Sequence, residues 1–275
     1  MDFLRVDVNQ CTRDGLCVQV CPIGILTLHD DRGPALQPGM EAYCIACGHC
    51  VAVCPHGALD HARAPAAGQQ ALPVYPVTDP ATALAFLRSR RSIRCYKDAE
   101  VPRATLEALL EAARYAPSSH NSQGVRYVVV SGRTQRERLC SIVVQWMRDI
   151  ISTQPKVARM HHMAGIVRAH EAGQDLILRS APHLIVATAE RAARAAQVTT
   201  YLALEYVELY ATTLGLGTCW AGYFQACAQQ TRALADLLRL PEDQTITGAL
   251  MAGYPKFRYH RLPERNALQV AWYSE

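Results

Sequence analysis

Seven of the 11 cysteines in the chain fall between Cys11 and Cys54. Four of them form the run Cys44-Ile-Ala-Cys47-Gly-His-Cys50-Val-Ala-Val-Cys54-Pro55, which is C-x2-C-x2-C-x3-C-P. Three thiolates at two-residue gaps let a tight loop wrap one iron–sulfur cube, while the fourth, before proline, turns away and serves the other cluster of a two-cluster domain. The run recurs 33 residues earlier as Cys11-Thr-Arg-Asp14-Gly-Leu-Cys17-Val-Gln-Val-Cys21-Pro22. Gly15 and Gly48, Pro22 and Pro55, and Gly24 and Gly57 keep the same offset. Asp14 alone breaks the pattern, standing where the second cysteine belongs. The crossed rule predicts one [4Fe-4S] cluster on Cys21, Cys44, Cys47 and Cys50. It places a second on Cys11, Cys17 and Cys54, with the Asp14 carboxylate as fourth ligand or with that iron missing. Oxygen holds iron less tightly than thiolate does among sulfides. The second site is therefore expected to be either a four-iron cluster with a labile corner or a [3Fe-4S] cluster, with a potential unlike its neighbour's. Zinc also binds paired C-x2-C motifs. It calls for neither the closing Cys-Pro nor a crossed repeat, and iron is the expectation.

Residues 1–60 thus resemble the two-cluster bacterial ferredoxin fold. The rest of the 275-residue chain is cysteine-poor, and the chain as a whole is 50% hydrophobic and 19% charged, with a net charge of +4. That balance is too mild for a nucleic-acid partner, and no run of 18 apolar residues offers a membrane span. No signal peptide opens the chain, and clustered cysteines without one point to a cytoplasmic protein with metal or redox chemistry.

Residues 61–80 carry four prolines among small residues and read as an extended linker. From 81 to 275 the pattern becomes helix, strand, helix. Asp79 and Pro80 mark the start of a helix reaching Arg90, and Pro102 opens another with Leu106, Leu109, Leu110 and Ala113 at helical spacing. Strands are expected at Arg126–Ser131, His183–Ala189 and Thr245–Gly253, with helices at 134–151, 156–170, 192–214 and 229–239. The 192–214 helix is apolar on most faces and belongs in a core or a subunit interface. Few strands among many helices imply an α+β sandwich.

Four segments in this second part look like one family in combination. They are Arg90-Arg91-Ser92-Ile93-Arg94; Ala116-Pro117-Ser118-Ser119-His-Asn121-Ser-Gln123; Gly215-Leu-Gly-Thr-Cys-Trp220-Ala221-Gly222-Tyr-Phe; and Gly253-Tyr-Pro-Lys-Phe-Arg-Tyr-His-Arg261-Leu-Pro-Glu-Arg265. In this order, over residues 80–265, they resemble the nitroreductase family of FMN flavoproteins. The resemblance implies a mainly antiparallel sheet flanked by helices and a homodimer with FMN at the subunit interface. It implies that Arg90 and Ser92, with Arg261 or Arg265, hold the ribityl phosphate, since the guanidinium fork suits phosphate. Arg91 would lie along the ribityl chain. Arg94 would face the N1/O2 edge of the ring, where a cation stabilises the negative charge of the reduced flavin and raises its potential. Pro117, Ser118, Ser119, Asn121 and the neighbouring Gln123 would reach the FMN of the other subunit. Backbone N–H groups around Trp220, Ala221, Gly222 and Tyr223 would contact flavin N5. Where the family often has Asn-x-Gln-Pro-Trp, this chain has Asn121-Ser-Gln123-Gly124-Val125, so an aromatic wall of the pocket is missing.

His161 and His162 are adjacent and read as surface or core histidines. Cys95, Cys140, Cys219 and Cys227 read as small buried residues. Glu205 and Glu208 read as paired or interface carboxylates. No G-x-G-x-x-G or other nucleotide or hydrolase motif occurs. The expected function is transfer of single electrons from the clusters to FMN, which reduces a small acceptor such as a nitroaromatic, a quinone or an activated alkene. Reduced ferredoxin or NAD(P)H would be the donor, and an attached ferredoxin domain favours a one-electron donor. Two other readings stand beside this one: an FMN enzyme of narrower chemistry, of flavin-fragmenting or dehalogenating type, and a non-catalytic electron carrier or redox sensor.

Overall fold

A computed structural model describes residues 3–72 and 78–274. It divides into two compact units: residues 1–78 together with Ser118–Gln123, and residues 79–117 together with 124–275. Part of the expected linker, residues 73–77, lies outside the described residues, while His61 still belongs to a strand and Ala66–Gly68 forms a 3-10 turn.

The first unit is built from the repeat. Strand β1 (Leu4–Val6) pairs antiparallel with β4 (Leu59–His61), and β2 (Leu26–His29) with β3 (Gly33–Leu36). Two one-turn helices, α1 (Leu16–Gln19) and α2 (His49–Ala52), occupy equivalent points of the repeat. Each follows a glycine in the left-handed region, Gly15 at φ 74° and Gly48 at φ 72°. A side chain there would oppose the turn, which is why both halves keep glycine. Cys17, Val51 and Leu59 form a small core between them.

The second unit is a four-stranded antiparallel sheet of β5 (Arg126–Ser131), β6 (His183–Glu190), β7 (Gly217–Trp220) and β8 (Gln244–Gly253), in the order β5-β6-β8-β7. Residues 183–189 of β6 are all buried because helices cover both faces. Leu184 and Val186 point into one core and Ile185 and Ala187 into the other, as a period of two requires. The first core lies under α5 (Arg133–Thr153), α6 (Pro155–Met160), α7 (Met163–Glu171), α9 (Gly222–Gln230) and α10 (Ala233–Leu237). The second lies under α4 (Arg103–Ala113) and α8 (Ala196–Thr213). Helix α3 (Pro80–Ser89) begins as expected: Asp79 accepts the N–H groups of Ala81 and Thr82, each at 3.0 Å, a cap worth about 1 kcal/mol. No helix among the described residues is long and apolar enough to cross a membrane.

Four expectations need correction. The helix over 156–170 is two helices, because His162 takes a left-handed conformation (φ 54°) between α6 and α7. The 229–239 helix is instead α9 and α10, separated by extended Thr231, whose hydroxyl accepts the Ala233 N–H. Gly217–Trp220, not among the expected strands, is an edge strand. Cys95 is exposed, whereas Cys140, Cys219 and Cys227 are buried as expected.

Candidate functional site

In the first unit the cysteines gather crosswise. One void is lined by Cys21, Cys44, Cys47 and Cys50 among apolar neighbours that include Ile23, Ile25 and Leu26. The other is lined by Cys11, Asp14, Cys17 and Cys54. Each set takes three positions from one half of the repeat and one from the other. Among the described residues no three His, Cys, Asp or Glu side chains come together around a single ion. Sulfurs spread around a void fit a multi-atom cluster. Burial pushes the Cys50 thiol up to about 11 and raises that of Cys17 as well.

Hydrogen bonds already point at the sulfurs. The Ala46 N–H donates to Cys44 Sγ (3.4 Å), and the Ala58 N–H donates to Cys54 Sγ (3.3 Å). His61, only 4% exposed, lies with Nε2 3.4 Å from Cys44 Sγ. Its Nδ1 accepts the Arg63 N–H at 3.0 Å, so the proton sits on Nε2 and faces the sulfur. The Asp14 carboxylate accepts the Leu16 N–H at 3.0 Å at the mouth of its void. Asn121 also belongs to this unit: its amide donates to the carbonyls of Ile45 (3.3 Å) and Ala46 (3.0 Å), inside the Cys44–Cys47 loop. His120, Asn121 and Gln123 all have positive φ, and the Gln123 N–H is tied to Ser118 Oγ at 3.0 Å.

In the second unit a cavity of about 420 Å³ opens beside β7. Arg94, Cys219, Trp220, Gly222 and Tyr223 line it. The Ile93 N–H donates to the Thr218 carbonyl at 2.8 Å, so the segment after α3 runs along the edge of β7 and delivers Arg94 to the cavity. Gly217 makes this possible, since a Cβ there would lie 2.3 Å from Ile93 Cγ1. Alternation along β7 separates the chemistry. Cys219 faces the cavity, while Thr218 and Trp220, the latter also bordering the cavity, donate to the buried Glu208 carboxylate at 3.0 and 3.1 Å. Burial raises the Glu208 pKa, against the two hydrogen bonds and the nearby Arg90. Burial likewise raises the Cys219 thiol, opposed by the positive charges of Arg94 and Arg179.

Not every expected residue reaches this cavity. Half-buried Arg90 pairs with Glu208 (3.6 Å) and Glu205 (3.8 Å) instead. Arg91 donates to the Arg88 carbonyl. The Ala221 N–H is committed to the Ala249 carbonyl, leaving those of Gly222 and Tyr223, in the first turn of α9, without an intrahelical acceptor. Ser118, Ser119, Asn121 and Gln123 fold with the first unit. Pro117 ends the preceding segment, and Arg261 and Arg265 sit on an exposed C-terminal arm. Arg179, which lines the cavity, was not expected. The only trace of it in the chain is the turn-forming Asp175 four residues before it.

Comparison with known proteins matches residues 87–254 to the nitroreductase family and residues 9–59 to a 4Fe-4S dicluster domain. The chain belongs to the nitroreductase family. This nitroreductase-family chain carries a ferredoxin-like domain at its N-terminal end. It is 29% identical over 204 residues to an NADH dehydrogenase of Thermus thermophilus, covering 68% of this chain and 94% of that protein. It is 42% identical over 59 residues to a 4-nitrobenzoate reductase of a Nocardioides strain, covering 22% of this chain and 24% of that protein. A nitroreductase with bound FMN from Bacteroides fragilis shares the fold of this nitroreductase-family chain, with a TM-score of 0.54, 23% identity and coverage of 70% of this chain and 96% of that one.

Proposed function

We propose that the chain is an iron–sulfur flavoenzyme that takes up electrons singly and reduces a small acceptor. The carrying observation is that one polypeptide holds two crossed sulfur-lined voids and a nitroreductase-type cavity lined by Arg94 and Gly222. When bound, the clusters supply one-electron carriage and FMN supplies a two-electron store. Cys21, Cys44, Cys47 and Cys50 would hold a [4Fe-4S] cluster, and Cys11, Cys17, Cys54 and Asp14 a second cluster of three or four irons. The N–H and Nε2–H donors at Cys44 and Cys54 stabilise added negative charge on those sulfurs, which raises the potential.

FMN fits the cavity of the second unit. Its apolar walls accept a flat ring, the free N–H groups of Gly222 and Tyr223 can serve a ring nitrogen, and Arg94 places a cation where reduction adds negative charge. Ser92, Arg261 and Arg265 remain the candidates for the phosphate, with Arg90 acting through its ion pairs to α8. A second copy of the chain is the expected partner. Val198, Leu202, Tyr206 and Tyr210 recur every fourth residue on α8 and are 63%, 40%, 40% and 37% exposed, an apolar stripe suited to a homodimer. Reduced ferredoxin is the favoured donor, because a ferredoxin-like domain gives a one-electron donor somewhere to deliver. Nitroaromatics, quinones and activated alkenes are the proposed acceptors, and the cytoplasm the proposed compartment.

Anaerobic purification followed by iron, sulfide and FMN assays tests the cofactors. Reduction of the same sample by reduced ferredoxin and by NADH, followed at the flavin absorbance with and without each acceptor, tests the activity. The expected result is a yellow-brown protein that ferredoxin reduces faster than NADH and that turns over at least one acceptor. A preparation without acid-labile sulfide would overturn the reading.

A further inference from the structure

The cavity beside β7 holds two guanidinium groups, and the proposed flavin site accounts for one of them. Arg94 arrives from the edge of β7; Arg179 arrives from the turn before β6. No Asp or Glu lines the cavity, and neither arginine takes part in an ion pair among the described residues. Both arginines line the cavity together with Cys219. The remaining walls are largely apolar and partly aromatic, among them Trp146, Ile150, Val157 and Tyr223, with Gln154, His161 and Gln230 as the polar exceptions. An occupant that complements these walls has a flat apolar body and a negative charge.

Arg179 is held in place at some cost to the backbone. It and Ser180 both lie in the left-handed region, at φ 56° and 53°, which residues with a Cβ rarely adopt. The Asp175 carboxylate compensates by accepting three N–H groups of the turn: Ile177 (2.9 Å) and Leu178 (2.8 Å) on Oδ1, and Ser180 (2.9 Å) on Oδ2. Strain maintained by a dedicated carboxylate, with an unpaired guanidinium at its apex, is the kind of local conformation found at binding sites.

We propose that Arg179 is the specificity-determining anchor for an acidic group on the acceptor, so that the enzyme prefers small aromatic or unsaturated carboxylates to their neutral counterparts. This rests on the reading of the cavity as the place where acceptor meets FMN. A guanidinium offers a carboxylate two parallel N–H donors, and apolar walls keep water from competing.

The test uses the full-length, FMN- and cluster-loaded protein. Binding of 4-nitrobenzoate and of 4-nitrobenzamide is titrated by the change in flavin absorbance, and KM is measured for each. Wild type is expected to favour the carboxylate, with the preference shrinking as ionic strength rises. Arg179→Gln is expected to weaken 4-nitrobenzoate about ten-fold to a hundred-fold, the scale of one charge-assisted pair, and to leave 4-nitrobenzamide binding and FMN affinity unchanged. Arg179→Lys should recover part of the loss. Should Arg179→Gln fail to fold, the charge preference and salt dependence of wild type still decide. Equal loss for both acceptors, a loss confined to FMN affinity, or a wild type indifferent to acceptor charge would each overturn the assignment while leaving the flavoenzyme reading intact. A wild type that binds no FMN or reduces neither acceptor overturns both.

Discussion

Asp14 and Cys47 stand at equivalent points of the 33-residue repeat, and between them a carboxylate oxygen replaces a thiolate sulfur. The void that Asp14 lines is otherwise equipped like its neighbour, with three sulfurs. Asp14→Cys is therefore expected to complete a four-thiolate set and convert a three-iron or oxygen-ligated signal into that of an ordinary four-iron cluster. Electron paramagnetic resonance before and after reduction checks this, and unchanged spectra would remove Asp14 from the cluster. A second single-residue effect lies in the sheet. His183, 1% exposed, accepts the Val101 N–H on Nε2 at 2.9 Å, so Nδ1 keeps the proton and donates to Ser131 Oγ at 2.7 Å. Burial pulls its pKa below the usual 6.5. Its neutral form thus contributes stability that is fully present above pH 6.5 and is lost as the pH falls through the lowered folded value. Thermal midpoints measured against pH should fall on this acid side in wild type. His183→Gln should start lower and lack that part of the slope.

Elements carry the next layer of constraint. Across β6 and β8 the register shifts at Ala187/Thr188, which leaves Thr247 as an extra residue opposite the pair. Thr247 Oγ1 lies 2.7 Å from Thr200 Oγ1 of α8, so the bulge is where helix and sheet lock together. Gly248 lies beside it, and a Cβ there would come within 2.6 Å of Leu204 Cδ1 and 2.9 Å of Thr200 Cγ2. Gly248→Ala is expected to destabilise the fold by about 1–3 kcal/mol, read as a lower urea midpoint. In the first unit, the segment Ser118–Gln123 acts as a strap on the Cys44–Cys47 loop through Asn121. Asn121→Ala removes both hydrogen bonds, and the cluster proposed on Cys21, Cys44, Cys47 and Cys50 should lose iron to a chelator several-fold faster, as followed by visible absorbance. Helix and strand positions in the second unit were largely legible because burial on one helix stripe or on alternate strand residues leaves a period in the chain. Two features left no such trace. Gly217–Trp220 is only four residues long, and the break at His162 comes from a backbone conformation that composition does not announce.

On the scale of the whole molecule, the proposed homodimer places its weight on α8. The inner face of that helix is committed, with Thr200, Ala203, Leu204, Val207 and Ala211 in the core. The outer stripe of Val198, Leu202, Tyr206 and Tyr210 is what a second copy would cover. Leu202→Glu puts a charge into that stripe without touching the inner face. Sedimentation is expected to shift from two chains toward one, with bound FMN falling in parallel if the flavin site is shared between copies.

The covalent chain by itself determined the family and pointed to the two crossed sets of cluster ligands. A crossed pair of cysteine runs and four short motifs depend on spacing, and spacing is written in the sequence. Tertiary structure decided which of those residues share a space. Arg94 meets Cys219 and Gly222 in one cavity, Arg90 turns to two glutamates, and Asn121 folds onto a cluster loop 75 residues away. Arg179 enters the cavity only because Asp175 holds a left-handed turn beneath it. Such meetings depend on sheet register, on the absence of a Cβ at Gly217 and Gly248, and on backbone hydrogen bonds between distant segments. They exist only once the chain has closed on itself.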